Sequence, residues 1–487
     1  MAQQILKQGR GISAALILGM LLTLTWTAAE AAHTIRGITG GTTAGVATFN
    51  LYAFPFNMNL PDGSSMYMWG FGDQDAGVNA TDPAGVGYGL PQYPAPTLIV
   101  NQGDVVTINL TNAGVPQPVS VVVAGHKLTA TGGTPGLVTA TADTTGPDVS
   151  YTFTASEPGT YVYHSLAGPN PGLQSEMGLQ GALIVRPTGF DPLNPVAYSA
   201  AGTDYDQEFL LLLSDMDPVM HQEMERGHYN HTTQSDRAAS IWFVNGRVFP
   251  DLFQGNYISI YAHQPYQALV MTHPGDKVLV REVDMGSDSH PFHHHGENMR
   301  LIARDGRVMS SDNGVTADLG RSDNTLNMAP RQTIDSIWSW SGKGLNWDVY
   351  GPVNTTCTDA NNNMADDASE ALNDPELLVM CHDDNCIDTS PVDGFDDFNH
   401  EYCADHAKAL PVTLPGVQEL GLGGWWSGSP FLGDTGGLPP GEGGLNPFGG
   451  YFMVWHSHNE KELTTFDIFP GGSLDAVVIW PPYVDIN

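Results

Sequence analysis

The strongest constraint on the fold is that this chain contains one strand pattern twice. The stretches "VNQGDVVTINLTNAGVPQPVSVVVAGHK" (100–127) and "THPGDKVLVREVDMGSDSHPFHHHGEN" (272–298) each run a strand through a Gly-Asp turn into a second strand. Further on, "PGTYVYHSLAG" (158–168) and "YFMVWHSHNEK" (451–461) share an aromatic strand ending in His-Ser. Each half then closes on a hydrophobic strand, "GALIV" or "DAVVIW". Short β-branched runs bounded by turn residues dominate, and long helix-period stretches are scarce, so the chain reads as all-β. The halves read as two Greek-key β-sandwich domains, over 40–190 and 205–487. With 487 residues, there is ample core for two or three domains.

At the N-terminus Lys7 and Arg10 precede an apolar run from Gly11 to Ala29, then "AEAA". This is the series of a secretory signal peptide over 1–31, cleaved near Ala31 or Ala32. The alternative is an uncleaved anchor helix, because the run just spans a bilayer. No later segment is long and apolar enough to span a membrane, so the expected location is secreted, extracellular or periplasmic. Lys+Arg 18 against Asp+Glu 53 gives a net charge of −35, which repels nucleic acid and anionic lipid and favours solubility or divalent cations.

Two inserts lengthen the second half. Residues 357–406 hold fourteen Asp and Glu, no Lys or Arg, and all four cysteines, Cys357, Cys381, Cys386 and Cys403. In an exported protein this set reads as two disulfides with three connectivities; a zinc site with His382, His400 or His406 is the other reading. Within "DANNNMADDASE", Asp359, Asn361, Asn363, Asp367 and Glu370 have the oxygen-ligand spacing of a calcium loop, although Met364 stands where Gly makes the turn. The plainer reading is a solvated acidic loop. Residues 416–450, rich in Gly, Pro and aromatics, are too long for a plain connection, and read as a covering loop, a contact surface or a partly disordered segment.

The most specific motif is "HPFHHHG". Alternate residues of a strand point the same way, so His293 and His295 share a face, while His290 is free to address another centre. So many histidines on an apolar strand are hard to satisfy without metal or water. His456 and His458 flank Ser457 in the same metal-ligand manner near the end of the chain.

Together with "PAPTLIVNQGDVVTINLTN", "YTFTASEPGTYVYHS" and "MGLQGALIV", these motifs resemble the multicopper oxidase family of linked cupredoxin domains. The resemblance runs from about residue 45 onward, apart from the inserts, and implies cupredoxin-like sandwiches. Family members pass electrons from a substrate at a type 1 copper to a trinuclear cluster that reduces oxygen to water. Carried over residue by residue, the first His-x-His motif falls on Val122 and Ala124, with His126 an imperfect substitute. The second keeps His164 but has Leu166. The third is complete in His290, His293 and His295. The fourth keeps His456 and His458 but has Ser457 in the cysteine position, and no His or Met follows His458.

By the same resemblance, His293 is a type 2 ligand without its partner at Val122. His164 and His458 form one type 3 set without Ala124, and His295 and His456 the other without Leu166. His290 is left as an orphan type 1 position. Serine is a hard, un-ionised donor and cannot replace the thiolate of a blue copper. The expectation is therefore a secreted, degenerate multicopper-oxidase-like protein with a structural or binding role. Copper or zinc would sit at a residual cluster of His164, His293, His295, His456 and His458; otherwise these residues are leftovers bonded to one another and to water. The alternative is an atypical copper oxidoreductase acting on phenols or metal ions with oxygen at a partial type 3-like site. Two-domain members often assemble as trimers, so the resemblance implies a homo-oligomer or an extracellular assembly.

Overall fold

Burial alternates wherever the sequence does. Val106, Ile108, Leu110 and Asn112 are the buried residues of one strand, and Tyr451, Met453, Trp455 and Ser457 those of another. One face of each strand thus enters a core, which lets two sheets pack as a sandwich. In this computed structural model the described residues are 35–41, 45–76, 80–81, 89–168, 170–229, 236–340 and 450–480, with short islands at 342, 388, 394–396, 401–403, 428–430 and 486.

The first half supplies β1 (Val46–Asn59), β2 (Ser65–Asp73), β3 (Leu98–Asn101), β4 (Val105–Asn112), β5 (Val122–Val123), β6 (Thr129–Gly132), β7 (Val149–Thr154), β8 (Gly159–His164) and β9 (Gln180–Arg186). They form two sheets, ordered β2-β1-β4-β7-β6 and β3-β9-β8-β5, around Phe49, Val106, Ile108 and Tyr163. The second half supplies β10 (Gln207–Met216), β11 (Ile241–Val244), β12 (Val270–Thr272), β13 (Val278–Asp284), β14 (His290–His294), β15 (Met299–Arg304), β16 (Arg307–Val308), β17 (Arg321–Asp323), β18 (Thr325–Met328) and β19 (Thr333–Trp338). After these come β20 (Phe395–Asp396), β21 (Glu401–Tyr402), β22 (Gly428–Pro430), β23 (Tyr451–Ser457) and β24 (Leu474–Ile479).

The second pair of sheets repeats the first. Its orders are β11-β10-β13-β19-β15-β16 and β12-β24-β23-β14-β18, with β17 beside β15, β22 beside β23, and β20 and β21 paired separately. In each half the first long strand runs parallel to the strand after the Gly-Asp turn, β1 with β4 and β10 with β13. The other sheet likewise has a parallel pair, β3 with β9 and β12 with β24. The repeat in the sequence is therefore a repeat of topology, two Greek-key sandwiches built alike.

The sandwiches meet across β8 and β9 on one side and β10, β13 and β19 on the other. Val162 and Ala182 pack there on Leu212, Val283 and Met285. Beside them the buried Glu208 carboxylate accepts two bonds from Arg186 (2.5 and 2.6 Å) and one from Arg281 (2.6 Å). Burial works against that charge, yet the two arginines hold the Glu208 carboxyl below its usual range. Arg281 also donates to Asp335 (3.2 Å) and to Thr160 (3.0 Å), and Thr160 donates to Asp335 (2.6 Å). At the rim Gly306 has φ +68°, and a Cβ there would run into the Tyr161 ring.

Two short helices, α1 (Pro171–Glu176) and α2 (Pro218–Glu225), lie outside the sheets. His221 on α2 is buried and bonds the Tyr67 carbonyl at 2.6 Å. Among the described residues no helix is long and apolar enough to cross a membrane. The calcium-loop candidates Asp359, Asn361, Asn363, Asp367 and Glu370 lie outside the described residues, as do Cys357, Cys381 and Cys386. Cys403 is disulfide-bonded.

Two outcomes are expected. Replacing Arg281 by Met leaves Asp335 without its guanidinium and Glu208 with Arg186 alone, and denaturant unfolding should show a loss of about 3–5 kcal/mol. Burial holds the His221 pKa at about 4, so between pH 6.5 and 4 the unfolded chain binds a proton that the folded one refuses. Stability is then full above pH 6.5 and falls by roughly 3 kcal/mol towards pH 4. Urea titrations across that window should lose this slope in His221→Gln.

Candidate metal centre

Strand geometry divides the histidines between two faces. On β14, Phe292 and His294 enter the core of the second sandwich, so His293, and His295 just past the strand end, project from the opposite face. On β23, Tyr451, Met453 and Trp455 point inward, which turns His456 outward, with His458 following. Antiparallel pairing sets His293 directly across from His456. The four outward rings then crowd together: His293 lies 4.9 Å from His295, 5.4 Å from His456 and 4.9 Å from His458 between ring centroids.

Ligand atoms of His293, His295 and His456 all fall within 4.8 Å of one another. His295 Nε2 is 3.1 Å from His456 Nε2. His456 Nδ1 donates to the Ser457 carbonyl at 2.7 Å, which leaves its Nε2 as the bare nitrogen. His293 Nδ1 is engaged by Thr325 Oγ1 at 2.7 Å. An imidazole with one nitrogen fixed by an outer partner and the other aimed at a common point is the arrangement of a metal ligand. Burial, with the neighbouring imidazoles adding to it, pushes the His293 pKa down to about 3, and burial lowers that of His456. Both are therefore neutral at physiological pH, the form that binds metal. The residues present fit copper or zinc through imidazole nitrogen.

The first sandwich offers an internal comparison. Val122 on β5 pairs with His164 on β8 in the way His293 on β14 pairs with His456 on β23. Where the second half has His293, His295, His456 and His458, the first has Val122, Ala124, His164 and Leu166. His164 is not part of the converging group: Ser175 Oγ is 3.5 Å from its Nδ1, and burial, then Arg331, pushes its pKa down to about 4. His126 also lies elsewhere, its ring edge-on to Phe153 and Tyr161 and its Nδ1 bonded to the Ala124 carbonyl.

The inward histidines bond to carboxylates, His290 through both ring nitrogens and His294 through Nε2 alone. His294 Nε2 is 2.7 Å from Glu282, and its ring is edge-on to Trp455. His290 Nε2 lies 3.1 Å from Asp215 Oδ1 and Nδ1 lies 2.9 Å from Glu462 Oε2. Burial alone would lower the His290 pKa, but Asp215 and Glu462 outweigh it and raise it to about 10. Thr325, Glu282, Asp215 and Glu462 are absent from the sequence reading. Thr325, Asp215 and Glu462 sit far along the chain from the histidines they serve, and Glu282, twelve residues before His294, lies on the preceding strand β13.

With this geometry in view, residues 89–189 match the family model for multicopper oxidases. The chain is 34% identical over 142 residues to an L-ascorbate oxidase of Brassica rapa subsp. pekinensis, covering 27% of this chain and 22% of that protein. It is 37% identical over 126 residues to an iron transport multicopper oxidase of Epichloe festucae (strain E2368), covering 26% and 18%. It thus spans about a fifth of the length of these curated relatives. It is also similar to a solved multicopper oxidase, at 16% identity and TM-score 0.48, covering 90% of this chain and 87% of that one. The family match is thus to residues 89–189, which are similar to a multicopper oxidase domain.

Proposed function

We propose that this protein is a secreted multicopper oxidase homologue that binds copper or zinc at His293, His295 and His456 and has no blue copper. Domain one spans 40–190 and domain two 205–487, and the metal is held by one sheet of domain two. The observation that carries the reading is the convergence of three histidine ligand atoms within 4.8 Å on neighbouring strands. His458 stands beside them as a fourth imidazole, and water completes the coordination shell. A bound ion would supply Lewis acidity or, for copper, one-electron chemistry. The chain's own contribution is to hold neutral imidazoles in fixed orientation through Thr325 and the Ser457 carbonyl. Ser457 in place of the thiolate, and carboxylates on both nitrogens of His290, support the absence of a type 1 centre.

Isothermal titration of the purified, chelator-treated protein with Zn(II) and Cu(II) tests this. Saturable binding is expected, with affinity falling at least about tenfold in His295→Ala and in His456→Ala. Absence of binding by either metal would sink the proposal. Oxygen uptake with a phenolic dye and added Cu(II), abolished in the same variants, would move the assignment to an oxidase working at this site.

A further inference from the structure

His290 lies in the second core, where β10, β14 and the turn after β23 come together. Asp215 closes β10, and its Oδ1 accepts from His290 Nε2 (3.1 Å) and from the Ser287 and Asp288 amides (2.9 and 3.2 Å). Arg237 pairs with the other oxygen of Asp215 and also bonds Glu176 at 2.7 Å. On the far side of the ring, Glu462 accepts from Nδ1 at 2.9 Å and from the Asn459 amide side chain at 3.0 Å. Asp215, His290 and Glu462 are each at most 2% exposed. Both imidazole nitrogens face carboxylates, so both donate, and the ring is an imidazolium. The space is shaped for this contact: a Cβ on Gly286 would overlap Asp215 Oδ1 and come within 2.5 Å of His290 Nε2.

We propose that an Asp215–His290–Glu462 ion clamp occupies the place of the type 1 copper and does its mechanical work. It ties β14 to the turn that follows β23, and so holds the two strands that carry the histidine cluster. Glu462 stands four residues after His458, and His290 three before His293, so the clamp brackets the metal ligands on both strands. Copper would need an unprotonated nitrogen on His290 and a soft donor at position 457; the carboxylates withhold the first, and Ser457 is the wrong donor. Asp215, His290 and Glu462 are positioning residues. This inference rests on the reading that the chain has no blue copper.

Three measurements test it. Glu462→Gln and Asp215→Asn should each lower the melting temperature by about 3 °C or more, since one partner of a buried pair is left uncompensated. In Glu462→Gln the Zn(II) affinity should fall about tenfold, as when an outer-shell partner is lost, with partial recovery in Glu462→Asp. Ser457→Cys, exposed to Cu(II), should show no intense thiolate-to-copper absorption, because His290 stays committed to its carboxylates. A blue band in Ser457→Cys would overturn the clamp, and so would unchanged melting in both charge variants. A melting loss with unchanged Zn(II) affinity would overturn the positioning role. If the wild type binds no metal, the proposed function fails, while melting and the cysteine variant still decide the clamp.

Discussion

Arg281 is the interaction on which the arrangement of the molecule depends. It is fully buried, yet it reaches Glu208, Asp335 and Thr160, and Thr160 belongs to the other sandwich. A guanidinium can do this because its fork of donors serves several acceptors in one plane; a lysine ammonium in the same place would satisfy fewer. Around it the apolar contacts of Val162, Leu212 and Met285 exclude water, which strengthens each charged bond. Few cations are present, 18 against 53 acids, and Arg186, Arg247 and Arg281 are in the interior.

Much of the fold was legible in the sequence because a strand has a short period. Alternation in "VVTINLTN" and "YFMVWHS" marks which residues turn inward, and the doubled Gly-Asp turn marks two copies of one topology. The outward pairing of His293 with His295 followed from the same rule. What alternation could not supply was the chemistry on the inward side. His294 and His290 looked like residues that metal or water must satisfy, whereas buried carboxylates engage both nitrogens of His290 and Nε2 of His294. Those carboxylates come from β10, β13 and a turn more than 150 residues further on, and no local pattern announces such a partner.

The placement of His164 was also beyond sequence reasoning. Motif carry-over groups it with the other cluster histidines by type, but register assigns it to the first sandwich beside Val122, Ser175 and Arg331. Spacing along a strand fixes which face a side chain takes; it does not fix which faces of two sandwiches look at each other. That is decided at the seam, by Arg281 and the apolar contacts around it.

The matched pairing of β5 with β8 and β14 with β23 has a consequence of its own. The same strand architecture is built once around Val122 and His164 and once around His293 and His456. Folding of this unit therefore does not require an imidazole cluster, and the first sandwich is the second one's ligand-poor reference, carried within the same polypeptide. Whatever the cluster contributes can be read as a difference between two halves of one molecule, at a single temperature, pH and ionic strength.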